Sequence, residues 1–157
     1  MNEYKGPMAN TVILFVCGTN RRRSPMAAAY FKRRLAELGI DGVSVESAGI
    51  HTRRQEMVDR GAVDALTNIG LEPLQLGVRQ LTPKQANCAS LIVCMTSDQL
   101  ADVEKKIPTV SRKLRTLLSI INSDRQVFDP KENDVGGHAR CLDLMRPALD
   151  ALAERLG

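Results

Sequence analysis

Cys17 and Arg23 stand six positions apart in Cys17-Gly18-Thr19-Asn20-Arg21-Arg22-Arg23-Ser24-Pro25, directly after the apolar run Thr11-Val12-Ile13-Leu14-Phe15-Val16. A thiolate is a strong nucleophile, and a guanidinium offers a planar fork that matches two oxygens of a phosphoryl group at any working pH. Together they describe a nucleophile beneath a bound tetrahedral anion, with Ser24 able to donate to the sulfur. That chemistry needs a strand ending near Cys17, a tight loop, and a helix opening at Ser24-Pro25. Backbone N–H groups between strand and helix then converge on one spot, and the helix dipole adds positive potential that also favours the thiolate. Gly18, Thr19, Asn20, Arg21, Arg22 and Ser24 form the expected anion-binding set. The plain alternative for Cys17 is a buried, inert thiol that closes a core strand.

The elements around this loop follow from period and punctuation. Ala27, Phe31, Leu35 and Leu38 recur at helical spacing, predicting a helix over residues 25–38, with proline in its permissive first turn and Gly39 as its stop. Residues 43–46 are short and β-branched, a second strand, after which Ser47-Ala48-Gly49 turns the chain. Val58, Ala62, Leu66 and Ile69 mark another helix ended by Gly70. Thr82-Pro83-Lys84-Gln85 reads as a capping box, residues 91–95 as a buried strand, and Thr96 with Gln99 as a second capping box opening a helix to about Lys106. Leu142, Met145, Leu149 and Leu152 define a last helical face, with a kink expected at Pro147. Residues 1–10 are polar and unpatterned and are expected to be a leader outside the fold, leaving 11–157 as one domain. Alternating strands and helices call for parallel strands and right-handed crossovers: an α/β three-layer sandwich, doubly wound, with its site at the carboxyl ends of the strands.

Composition narrows the function classes. The chain has 157 residues, 43% of them apolar, enough for one core. No run approaches the ~20 apolar residues that span a bilayer, so no membrane partner is expected. A net charge of +4 and a pI near 9.0 invite a nucleic-acid reading, but with only 3% aromatics there is little to stack on bases, and no nucleic acid is expected. Cys17, Cys88, Cys94 and Cys141 lack paired spacing, and with only His51 and His138 beside them no metal site and no cofactor are expected. Reduced thiols in a cytoplasmic protein follow. Arg33-Arg34 and Arg53-Arg54 read equally well as solvated surface or as functional charge.

At the loop, the chain resembles the low-molecular-weight protein tyrosine phosphatase family, whose pattern is Cys-x-Gly-Asn-x-Cys-Arg-Ser-Pro before a helix. Ser47-Ala48-Gly49, Leu81-Thr82-Pro83 and Asp129-Pro130 resemble further family segments, in the family's order, from about Thr11 to the end. The resemblance implies a four-stranded parallel sheet in the order 2-1-3-4. It also places the fourth strand near residues 114–121, although Leu114, Leu117, Leu118 and Ile121 fit helical spacing. It implies a phosphomonoesterase, first of all a protein-tyrosine phosphatase, with Cys17 as nucleophile forming a phosphocysteine, Arg23 holding the phosphoryl group and Asp129 as general acid. Asn20 would fix the loop backbone and Ser47 would brace Asn20. Asp129-Pro130 taken alone is an ordinary turn.

The departures carry chemistry too. Gly18 and Thr19 exchange the family's usual order, and Arg22 replaces the second loop cysteine, removing a disulfide partner for Cys17. Arg21 replaces an apolar rim residue, and Lys131-Glu132 stand where phosphotyrosine-directed members carry aromatics. A basic rim predicts a phosphorylated protein or small phosphomonoester with acidic groups near the phosphate. Two other readings share the loop. One is an arsenate reductase relaying a disulfide through Cys94, although Ala101 stands where the second relay thiol is expected and Cys88 lies on the wrong side in sequence. The other is a non-catalytic phosphate-binding module.

Overall fold

Thr11–Cys17 (β1) alternates its side chains between two hydrophobic clusters: Ile13, Phe15 and Cys17 face one helical layer, while Leu14 and Val16 face the other. A strand buried on both faces is what an interior position in a parallel sheet requires. The computed structural model describes residues 11–157, and the expected leader lies outside the described residues. The remaining strands are Val43–Gly49 (β2), Leu91–Cys94 (β3) and Leu114–Thr116 (β4), in one parallel sheet of order β2-β1-β3-β4. The expected fold class and strand order hold.

Arg23–Glu37 (α1), Arg60–Thr67 (α2) and Gly137–Arg155 (α5) cover the face carrying Phe15; Pro83–Cys88 (α3) and Ser97–Lys106 (α4) cover the other. Phe15 and Phe31 of α1 pack edge to face, 5.3 Å between centroids. Thr82 and Thr96 cap α3 and α4 by accepting from the Gln85 and Gln99 N–H groups at 3.1 Å. The boxes are only half closed: the Gln85 side chain turns to Glu46, and Gln99 Oε1 accepts from the N–H of Met95. Gly39 and Gly70 end α1 and α2 with φ of 70° and 79°.

Three expectations need correction. Helix α1 opens two residues earlier than its apolar period suggests, because Arg23 and Ser24 are themselves buried in the first turn. The stretch expected as the fourth strand is divided: β4 keeps three residues, and Leu117–Ile121 forms a 3₁₀ helix that buries Leu117, Leu118 and Ile120. The helical spacing read there was real. β2 runs to Gly49, so Ser47-Ala48-Gly49 finishes the strand rather than turning the chain. Pro147 lies inside α5, which continues through it as one helix to Arg155.

Candidate active site

The parallel register gathers the site at one edge of the sheet. Cys17 ends β1 opposite Gly49 of β2, and Val16 stands beside Cys94 of β3, so the segment between β1 and α1 emerges at the carboxyl ends of the strands. The loop's carbonyls are committed outward: Cys17 O accepts from Ile50 N at 3.0 Å, Gly18 O from His51 N at 2.8 Å, Arg21 O from Asp59 N at 2.8 Å and Arg22 O from Met26 N at 3.2 Å. Among the described residues no protein acceptor takes the N–H groups of residues 18–24. Those donors, at the start of a helix, form a nest suited to an oxyanion.

Cys17 is only 2% exposed, and its Sγ lies 3.0 Å from Ser24 Oγ. Asn20 Nδ2 donates to Ser24 Oγ at 2.8 Å and to Ser47 Oγ at 3.1 Å. With that lone pair occupied, Ser24 directs its own proton either to the sulfur or to the Ala48 carbonyl, 3.4 Å away. Asn20 holds a left-handed φ of 60°, tolerable for asparagine, and its Oδ1 accepts from the N–H of Arg79 at 2.8 Å and from Gln75 Nε2 at 3.4 Å. Gly49 is forced by close approach: a Cβ there would lie 2.8 Å from Asn20 N and Thr19 C. Asn20, Ser24 and Ser47 thus meet in one buried hydrogen-bonded cluster.

Arg23, 8% exposed, donates from Nη1 to the Val127 carbonyl at 3.0 Å, while its buried Nε has no hydrogen-bond partner. Such a donor costs free energy unless an anion takes it. The carboxylate nearest to it is Asp129 Oδ1 at 3.6 Å. Asp129 is 51% exposed and belongs to a segment without regular structure, docked on the sheet by Val127 N donating to Met95 O at 3.1 Å. The Cys141 thiol of α5 donates to the Phe128 carbonyl at 3.5 Å. The structure therefore brings Cys17, Arg23 and Asp129 to one place.

Sequence reasoning missed the buried Asp59. It sits at the N-cap of α2, yet makes no cap hydrogen bond. Its carboxylate instead accepts from Arg22 Nε at 2.8 Å and lies 3.0 Å from His138 Nε2 and 3.7 Å from Arg21 Nη2. Burial pushes the Asp59 carboxyl up, but the hydrogen bonds from Arg22 and then His138 outweigh it and hold the group below its usual range. The basic rim is accordingly less open than expected, since Arg21 and Arg22 both lean on Asp59. Cys94 faces the opposite helical layer; burial pushes its thiol, and that of Cys141, up to about 12. A fully buried thiol facing that layer does not suit the disulfide relay of an arsenate reductase.

An α/β sheet that carries a thiol, an unpartnered guanidinium donor and a carboxylate around an amide nest defines a nucleophilic oxyanion site. The family model described as "Low molecular weight phosphotyrosine protein phosphatase" matches residues 12–157. The chain is 29% identical over 145 residues to a protein-arginine-phosphatase of Geobacillus stearothermophilus, covering 92% of this chain and 95% of that one. It is equally 29% identical over 144 residues to the low molecular weight protein-tyrosine-phosphatase Etp of Escherichia coli K12, covering 92% and 93%. A solved mutant of the YwlE arginine phosphatase, with a phosphorylated active-site serine, superposes with a TM-score of 0.87 at 27% identity, over 93% of this chain and 95% of that one. The chain belongs to the low molecular weight phosphotyrosine protein phosphatase family. That membership bears out the expected class, a cysteine-dependent phosphatase.

Proposed function

We propose that Cys17, Arg23 and Asp129 carry phosphoryl transfer from a phosphorylated protein, with phosphotyrosine as the first substrate class. Cys17 Sγ attacks phosphorus in line; the S–P bond forms as the P–O bond to the leaving group breaks, while Arg23 and the loop amides hold the three equatorial oxygens. Asp129 gives its proton to the departing oxygen. Water then attacks phosphorus, the S–P bond breaks, and Asp129 takes the water proton. The observation that carries this reading is the partnerless Nε of Arg23, 3.6 Å from Asp129 and in the same loop as the Ser24-supported sulfur. A module that only bound phosphate would need neither the thiol nor the carboxylate.

Phosphoarginine is the second reading, favoured by the relatives named as arginine phosphatases and by an acidic flank. Asp64, Glu132 and Asp134 line a cavity of about 330 Å³ beside the Asp129 segment, suited to a cationic guanidine. Against phosphotyrosine stands the lack of an aromatic at Lys131-Glu132; in its favour stands Phe128, 41% exposed just before Asp129. Arg53, Arg54 and Arg79 are exposed, and Arg79 donates its backbone N–H to Asn20 of the loop, which supports acidic groups on the phosphoprotein. Four free thiols, together with the absence of any membrane-crossing helix among the described residues, support a cytoplasmic setting.

The test is turnover of p-nitrophenyl phosphate by wild type, Cys17→Ser and Asp129→Asn, followed by matched phosphotyrosine and phosphoarginine peptides and thioredoxin-linked arsenate reduction. Wild-type turnover by the serine variant removes the phosphocysteine route. Preference for the phosphoarginine peptide exchanges the first substrate reading for the second.

A further inference from the structure

Arg22 lies between two carboxylates. Its Nε is fixed to Asp59 Oδ2 at 2.8 Å, and its Nη1 lies 3.9 Å from Asp129 Oδ1. Asp59 is in turn held by His138 of α5, and both are buried, at 3% and 5% side-chain exposure. One end of the guanidinium is therefore anchored in a rigid, ion-paired support while the other faces Asp129. Arg23 cannot hold Asp129 in the same way, because a bound phosphoryl dianion and the Asp129 carboxylate compete for the same guanidinium. Once the anion takes Arg23, Arg22 is the cation left to the carboxyl group.

We propose that Arg22, fixed by the Asp59–His138 pair, is a positioning residue that orients Asp129 over the leaving oxygen. This rests on the reading of Asp129 as general acid. By donating to Oδ1, Arg22 turns the protonated oxygen toward the departing group. As the O–H bond breaks and the proton passes to the leaving oxygen, negative charge grows on the carboxylate, and the guanidinium stabilises it more in the transition state than before. Arg22 touches neither sulfur nor phosphorus in this role. The arginine in place of the family's second loop cysteine then has a use of its own, and the buried Asp59 and His138 have a reason to lie beneath the loop.

A leaving-group series tests this with the whole chain. Phenyl phosphate needs a proton on departure far more than p-nitrophenyl phosphate does. Arg22→Gln is expected to lower kcat for phenyl phosphate about tenfold, a fraction of what a general acid supplies, and kcat for p-nitrophenyl phosphate less than about twofold. Competitive inhibition by inorganic phosphate should move less than about twofold, since Arg23 and the amides still hold the anion. Asp59→Asn should shift the ratio in the same direction. In a double-mutant cycle, Arg22→Gln added to Asp129→Asn should cost nothing more on phenyl phosphate. Equal losses on both substrates, or full additivity, overturn the positioning role while leaving the acid in place. If Asp129→Asn alone shows no leaving-group dependence, the acid assignment itself falls, and the two failures are distinguishable. Should Arg22→Gln fail to fold, Arg22→Lys carries the same cycle, because a single ammonium cannot span both carboxylates.

Discussion

The loop of residues 17–24 and the segment that carries Asp129 face each other across the site but are held in different ways. Around the loop, Asn20, Ser24 and Ser47 are buried and mutually hydrogen-bonded, the loop carbonyls are committed, and Gly49 leaves no room for displacement. Around Asp129 there is no regular element, half the carboxylate side chain is exposed, and its contacts are ion pairs of 3.6 and 3.9 Å. Binding a tetrahedral anion and aiming a nucleophile require donors already in place, since reorganisation would consume the stabilisation they provide. A proton donor must instead meet leaving groups of varied shape and let product out. Fixed donors and a lightly tethered carboxyl group suit the proposed reaction.

The sharpest break in this contrast is Cys17→Ser, expected to abolish p-nitrophenyl phosphate turnover while thermal melting stays near wild type; a folded variant that still turns over would dissolve the loop's special status. The same group is readable by alkylation at pH 7. With the Cys94 and Cys141 thiols pushed up to about 12, modification should fall on Cys17 and the exposed Cys88, and phosphate should protect Cys17 alone. Next comes Asp129→Asn, which should lower kcat on phenyl phosphate by about 10² to 10⁴. It should leave stability within roughly 0.5 kcal/mol, because Asp129 is itself half exposed and its ion pairs are long, at 3.6 and 3.9 Å. A large fall in melting temperature would show the acid segment to be as tightly built in as the loop.

Asn20→Ala probes the other side. It strips the partners from Ser24, Ser47 and the Arg79 N–H, and places alanine at φ 60°. Leaving such buried groups unsatisfied costs about 1 to 3 kcal/mol, and the left-handed dihedral roughly 1 kcal/mol more. At about 2 to 4 °C per kcal/mol, calorimetry should show a clear drop in melting temperature. Turnover should fall with it, because the amide nest depends on the same backbone. Stability lost with activity intact would separate the brace from the nest.

The sequence legibility of these two regions differs for the same physical reason. Strand, loop and helix are contiguous, so Cys17, Arg23 and Ser24 are readable from spacing, and Asn20 and Ser47 from a resemblance to a family pattern. The parallel sheet follows from alternation, and its order from that resemblance. Near residues 114–121 the resemblance overrides a helical spacing that is real: the strand keeps three residues, too few for a periodic signal of its own, and the spacing belongs to the 3₁₀ helix that follows. Asp59, Gln75 and Arg79 reach the loop only through tertiary folding, across separations of 37 to 59 residues, and His138 reaches Asp59 across 79. The helical spacing starts at Val58 and so hides Asp59 inside the helix; only the structure puts it at the N-cap of α2 with its side chain committed elsewhere.

The smallest effect concerns the support that joins the two regions. The Asp59 carboxyl is held below its unfolded value of 3.8 because, against the cost of burial, Arg22 and His138 favour the ionised form. A group whose folded value is depressed adds stability above its unfolded value and loses it as pH falls through the folded one. Melting temperatures of wild type and Asp59→Asn should therefore differ most above about pH 4 and converge as the pH is lowered further. A gap that stays constant down to pH 3 would mean that Asp59 holds Arg22 by shape and not by charge, and the acid side of the site would then lose its electrostatic link to the α5 helix.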